Sequence, residues 1–432
     1  MIEELSRAGL YDPKTIERLA LLIISPQGPH EISRKERIFT ERLFGQRVEE
    51  MMREGAVSFP SVVPRTSAAS GNMIRCQVKE FLGYGNMGPV FSVAFQDQPF
   101  ALKIYSAHAV QDMLRVHGKF GLAGLLHDVD VEDQPTFLSR LGEKVLAKKP
   151  KGVYARCKKV VKIHHVGADA EYIYILMDML AVDTINRMDP RPLGAELIDY
   201  AFWAIDCITG LCHLHVEERR LHLNVRPEAF VLRNVKKQER LPKYSFFHFP
   251  DRFPRPSASP SSEKEFVLVD HLDTSADAAD RSPKGLGTVG SWLFVPPEVV
   301  MQLLKSLKED YTLYDSSKGS FEEKRTINLR RSQMDDIWAL GLTLYQFLSG
   351  GTLPFRDPKS LTVMIDAILL SKFDFSQIPP EFRSLMEAML NKDPAVRFHK
   401  VLEGCPEKIK SRKVMAEVLL YKFELCALGM KN

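Results

Sequence analysis

The chain has 432 residues, enough for two or three lobes with a full core, and its 45% hydrophobic and 26% charged content is ordinary for a globular protein. A net charge of +4 on so large a chain gives no case for binding nucleic acid or a membrane surface. The early apolar run, residues 19–24, is far too short to span a bilayer, so no transmembrane segment is expected.

Glu17 and Arg18 precede that run and no small-residue cleavage site follows it, so it does not read as a signal peptide. Six cysteines are scattered without a Cys-x-x-Cys pair, which argues against a zinc site and for buried thiols. Residues 33–53 carry Ile38, Phe39, Leu43, Phe44, Val48, Met51 and Met52 at helical spacing, with Ser33 as N-cap and Glu36 completing a capping box. That stripe must be covered, by the following domain or by a partner. Residues 56–72, rich in Ser, Pro and small side chains, are expected to be a linker.

A β-rich unit comes next. Strands are expected over 78–82 and 91–95, joined by Gly83-Tyr84-Gly85-Asn86-Met87-Gly88-Pro89-Val90, and Phe100-Ala101-Leu102-Lys103-Ile104-Tyr105 is a third. The glycine motif joins strand to strand rather than strand to helix, which argues against a dinucleotide fold. Glycine lets a hairpin approach phosphates because no Cβ blocks it, and Lys103 would supply a point charge for them. Pro89 removes a backbone donor, as a hairpin or edge strand tolerates. A helix over 135–148 carries Glu143. Strands over 160–166 and 172–177 lead to Met177-Asp178-Met179-Leu180.

An apolar helix over 194–215 delivers the chain to His222-Leu223-Asn224-Val225-Arg226-Pro227-Glu228-Ala229-Phe230. Phe266-Val267-Leu268-Val269-Asp270-His271-Leu272 reads as a strand ending in an acid. Residues 233–265 form an insertion between the two, whose Pro- and Ser-rich part is expected to be a mobile loop. Downstream lie Val295-Pro296-Pro297-Glu298, a charged stretch over 316–331 expected as a second surface loop, Asp336-Ile337-Trp338-Ala339-Leu340-Gly341, Asp393-Pro394-Ala395-Val396-Arg397 and a last helix over 410–428.

Six motifs in this order, over roughly residues 75–400, resemble those of the protein kinases. The resemblance implies an α+β, bilobal protein-kinase-like fold, with a β-rich N-lobe, a helical C-lobe and an N-terminal helical extension. The boundaries it suggests are 1–72 for the extension and linker, 73–180 for the N-lobe and hinge, and 181–432 for the C-lobe, with insertions near 233–265 and 304–333. It also implies a nucleotide site: Gly83, Gly85, Gly88 and Val90 over the phosphates, Ala101 and Lys103 beneath them, Glu143 pairing with Lys103, and Met177, Asp178 and Leu180 at the back of the adenine pocket and the hinge. Asp270 would hold Mg²⁺, so ATP with Mg is the implied cofactor, although a scaffold role requires none. Asp336 would brace the catalytic-loop backbone, and Arg397 would pair with Glu298.

Two departures concern the chemistry. Asn224 stands where kinases carry the catalytic aspartate, and Ala229 where they carry a metal-binding asparagine. Asn cannot take a proton at neutral pH, and a general base is worth about 10²–10⁴ in rate. Ala229 offers the metal no oxygen. Leu223 replaces the arginine that would read a phosphorylated activation loop, while His271 and Leu272 replace Phe-Gly. No catalytic residue is therefore assigned. The expectation is a pseudokinase that docks another protein as scaffold or regulator; the alternative is a weak or unconventional ATP-dependent Ser/Thr phosphotransferase. Within kinases, Trp338-Ala339-Leu340-Gly341-Leu342-Thr343-Leu344-Tyr345, Leu353-Pro354-Phe355 and Pro296-Pro297-Glu298 are most similar to the rhoptry kinase-like family of apicomplexan parasites. That resemblance implies a secreted protein of the rhoptry, vacuole or host cell.

Overall fold

Alternating burial closes six strands on themselves. In the computed structural model β1 (Ala56–Val62), β2 (Asn72–Gly85), β3 (Gly88–Phe95), β4 (Gln98–Ser106), β5 (Ile163–Ala168) and β6 (Tyr172–Asp178) form a barrel in the order β1-β2-β3-β4-β6-β5. Phe59, Phe91, Leu102, Ile104, Tyr174 and Leu176 belong to one buried core, and Phe59 stacks on Tyr174 with ring centroids 4.7 Å apart. Gln96 and Asp97, both at positive φ, make the two-residue turn between β3 and β4, whose twist matches that of the strands it joins. The structure describes residues 44–62, 72–85, 88–107, 142, 154, 158–180, 197–234, 264–269, 276–277, 292–311, 331–355, 361–411 and 414–429.

The linker expected over 56–72 is corrected by β1. Val57, Phe59 and Ser61 are buried at every second position, and the strand pairs with β2 along its length and with β5 at Ser61↔Gly167 and Val62↔Val166. The Ser61 hydroxyl donates to Val166 O at 3.0 Å. Glycine permits the closure: a Cβ on Gly167 would lie 2.1 Å from Pro60 O. A helix over 44–54, α1, packs Phe44 and Met51 into the barrel core with Val48 against it, so this part of the expected stripe is covered by the chain itself, while Met52 is 43% exposed. Its expected first turns, 33–43, lie outside the described residues.

The second body is helical. It comprises α2 (Leu197–Cys212), continued as a π-helical turn over His213–Glu218, then α3 (Pro297–Tyr311), α4 (Gln333–Leu348), α5 (Leu361–Leu369), α6 (Pro380–Met389), α7 (Pro394–Leu402), α8 (Glu407–Lys410) and α9 (Met415–Gly429). Short strands β7 (Arg220–Leu221), β8 (Phe230–Asn234), β9 (Lys264–Leu268) and β10 (Ala276–Asp277) pair as β7–β10 and β8–β9. Leu197–Glu218 is long and apolar enough to cross a bilayer, but 67% of that window is buried and its Ala204, Ile208 and Leu211 lie in the helical core. It is the core helix of this body. Ser332 caps α4 by accepting from Met334 N at 3.2 Å, and Asp393 caps α7 by accepting from Ala395 N and Val396 N.

Arg233 and Glu265, the end residues of the first expected insertion, pair across β8 and β9 and share an ion pair. In the range expected for the second, near 304–333, α3 runs on to Tyr311. The last helix, expected to run unbroken over 410–428, starts at Met415. The whole is a mixed α+β architecture, an N-terminal barrel followed by helices, consistent with a kinase-like bilobal fold.

Candidate functional site

The loop after β7 is built around one buried carboxylate. Asp336, in the first turn of α4, accepts from Leu223 N at 2.6 Å, His222 N at 2.8 Å and His215 Nε2 at 2.8 Å. Burial alone would raise its pKa. The hydrogen bond and charge of His215, with the backbone N–H of His222, instead hold it below the usual carboxylate value. The two backbone bonds fix an otherwise unfavourable conformation, since Leu223 sits at φ 62°. His222 is fully buried; its Nδ1 accepts from Asn224 N and its Nε2 lies 3.3 Å from Val269 O. These contacts fit the neutral ring with the proton on Nε2.

Asn224 follows on that braced frame. It is 4% exposed, and its side-chain NH₂ is buried without a hydrogen-bond partner. Ala229 ends a short 3₁₀ turn, Pro227–Ala229, and its methyl lies in the helical-body core with Val225 and Phe230. Its carbonyl accepts from Val269 N at 2.8 Å. The position expected to reach a metal is thus turned into packing. Arg226 lies nearby, its Nε 3.8 Å from Glu228 Oε2.

The barrel gathers most of the residues singled out for a nucleotide. Register pairs Gly83 with Val90, Gly85 with Gly88, Val90 with Lys103 and Ala101 with Met177. Directly paired residues share a sheet face, so Val90 and Lys103 stand on one face, with Ala101 and Met177 two residues along on the same side. Lys103 is 2% exposed, and its Nζ lies 5.3 Å from the Tyr105 ring centre. Gly83 has φ 145° with open space where a Cβ would be. Gly88 has a packing reason instead, since a Cβ there would meet Ile104 O at 1.8 Å and Phe44 Cζ at 3.3 Å. Asp178 Oδ1 lies 2.6 Å from His164 Nε2, and Leu180 follows β6. Glu143, Asp270, His271 and Leu272 lie outside the described residues.

Two ion clusters hold this arrangement together. Lys159 pairs with Asp206 of α2 at 2.6 Å and with Glu265 of β9, which also pairs with Arg233 of β8. Asp206 further accepts from Phe266 N at 3.2 Å. Burial pushes the Glu265 carboxyl up, but Lys159 and Arg233 more than offset this and leave it below its ordinary value. In the second cluster Arg397 pairs with Glu298 at 2.5 Å, as the kinase resemblance implies, and its guanidinium lies 5.1 Å from the Trp338 ring centre. Burial dominates there and raises the Glu298 carboxyl. Among the described residues no group of His, Cys, Asp and Glu is arranged to hold a metal.

Sequence reasoning missed His215 and the Lys159–Asp206–Glu265–Arg233 network. A histidine on an otherwise apolar helix was the available signal for His215. The network had none, since its members come from four separate segments.

No family model matches the chain. It is 21% identical over 250 residues to ribosomal protein S6 kinase 2 alpha of Xenopus laevis, a stretch covering 57% of this chain and 26% of that protein. The chain thus spans about a quarter of that relative's length. This distant similarity to a Ser/Thr protein kinase, with the barrel-and-helix fold, supports a kinase-like protein and suggests the protein kinase superfamily.

Proposed function

We propose that this chain is a kinase-like protein whose phosphotransfer centre has been edited out, and that it works by binding another protein as scaffold or regulator. The observation that carries the reading is the braced loop itself. Asp336 holds its backbone, yet the base position bears a buried amide, Asn224, and the metal position a core methyl, Ala229. Phosphoryl transfer depends on positioning, metals and a residue that orients the hydroxyl. Here the positioning frame is kept and the last two requirements are weakened.

A second reading, a weak or unconventional Ser/Thr phosphotransferase, draws on the shared face of Val90, Ala101, Lys103 and Met177 and the burial of Lys103. Those residues, with Asp270, are the ones that would hold ATP and Mg²⁺. The narrower rhoptry kinase-like reading, of a secreted parasite effector, draws on the quoted Trp338 and Pro296 motifs and on the N-terminal helix that packs Phe44 and Met51 into the barrel.

Thermal unfolding with and without Mg²⁺-ATP, with Asp270→Ala as control, tests the nucleotide side. Ligand at 100 times its Kd adds about 2.7 kcal/mol of stability. A metal-dependent shift lost in Asp270→Ala would establish a nucleotide site. No shift at millimolar ATP would remove the phosphotransferase reading and leave the scaffold. Measurable phosphotransfer by the unaltered chain, abolished by Lys103→Met, would overturn the scaffold proposal.

A further inference from the structure

A cleft of about 770 Å³ lies between the end of α5, the segment that follows it, the end of α6 and α7. Phe373, Phe375 and Leu390 supply apolar lining, and Lys372, Lys392 and Lys400 supply charge. Glu387 is the one acidic residue in the lining. Two nearby carboxylates are already engaged by backbone N–H groups: Asp374 accepts from Ser376 N at 2.8 Å in a turn, and Asp393 accepts from the first N–H groups of α7. Lys422 donates to Lys400 O at 3.1 Å and so brings a fourth ammonium group close behind the rim.

The lining is anchored rather than loose. Phe373 packs against Trp338 and Phe355 with centroids 5.8 and 5.7 Å apart, and Phe375 packs against Tyr345 at 5.9 Å. Lys392 is fixed as well. Its Nζ donates to Ala367 O at 3.2 Å and Ser371 O at 2.5 Å, and lies 4.7 Å from the Phe373 ring centre. The two backbone carbonyls and the ring thus hold the ammonium charge at the cleft wall. Burial lowers Lys392 to about 8, which leaves it mostly protonated at neutral pH. On α7, Val396 is 39% exposed one turn before Lys400 and extends the apolar surface beside the charge.

We propose that this cleft is a docking site for an acidic linear segment of a partner protein, with one or two large apolar side chains seated on Phe373 and Phe375 and flanking carboxylates on Lys372, Lys392 and Lys400. Charge complementarity selects this occupant. Three lysines against one glutamate disfavour a basic segment, and the aromatic floor gives an apolar anchor the water-excluded contact that specific recognition needs. The site is separate from the loop around Asn224 and does not depend on whether nucleotide binds there.

The probe is a fluorescein-labelled eight-residue peptide with a central Leu-Phe pair flanked on each side by three acidic residues. Its binding to the full chain would be read by fluorescence anisotropy. Saturable binding is expected, weakened about tenfold or more in Lys372→Glu/Lys400→Glu, a surface variant whose unfolding midpoint should match that of the unaltered chain. Lys392→Met should weaken binding in the same direction. The proposal is overturned if the acidic peptide does not bind, if a peptide with lysine flanks binds as well, or if the charge-reversed variant binds unchanged. It is also overturned if replacing Leu-Phe by Ser-Ser leaves the affinity intact, since the cleft would then be a non-specific cationic patch.

Discussion

Leu223 turns the main chain left-handed, at φ 62°, on the residue before Asn224, and the Asp336 carboxylate holds it there. Removing that carboxylate would leave two loop N–H groups and His215 without their acceptor inside the protein. Asp336→Ala should therefore cost about 3–5 kcal/mol, as breaking a buried charged network does, and urea unfolding would measure it. A loss under 1 kcal/mol would mean that the loop is held by its apolar packing instead. Ala229 is governed by packing. Because its methyl is part of the core, the pair Asn224→Asp with Ala229→Asn should lose about 1–3 kcal/mol through burial of a polar group. Its melting temperature should be recorded before any assay for regained phosphotransfer is interpreted. At this scale the sequence was informative where identity decides chemistry. Asn224 and Ala229 stand out only against the kinase resemblance, whereas the bracing role of His215 depends on a partner more than 100 residues away.

Closure of the barrel rests on one strand and one glycine. Gly167→Ala would drive a Cβ into Pro60 O and should destabilise by about 1–3 kcal/mol. Gly45→Ala in α1, with nothing within 4 Å, should instead stabilise by about 0.5–1 kcal/mol. Matched denaturant curves of the two variants would check both signs. The joint between α2 and the β8–β9 pair has its own pH signature. Glu265 has a folded pKa below its unfolded one, so its contribution is complete above roughly pH 4.3 and is lost as pH falls through the lower folded value. Glu265→Gln should be less stable at pH 7, where Lys159 and Arg233 lose their carboxylate. Its melting temperature should also fall less than that of the unaltered chain between pH 5 and pH 3. Parallel acid limbs would sink this account. β1 was hidden because Pro60 and the serines of 56–62 resemble linker composition. Only the alternation of Val57, Phe59 and Ser61 marked it as a strand, and a seven-residue period-two signal is weak until a partner strand is known.

Over the whole molecule, local pattern fixed a good deal. The order of the glycine-rich hairpin, the Ala-x-Lys strand, the loop at His222 and the acidic start of α4 followed from motif spacing. The Asp336 brace and the Arg397–Glu298 pair were implied by the resemblance to kinases, whose motifs these residues match in type and order. Composition and periodicity likewise placed a β-rich part before a helical one. Long-range geometry decided the rest. Barrel closure by β1, the packing use of Gly88 against Ile104, the four-segment ion network and the basic, aromatic-floored cleft all join residues that the chain separates widely. Local sequence sets the conformation of each segment and which of its faces is apolar. Which faces meet, and which charges are buried together, is settled only when the segments share a core, because the energy of those contacts belongs to pairs that no short window contains.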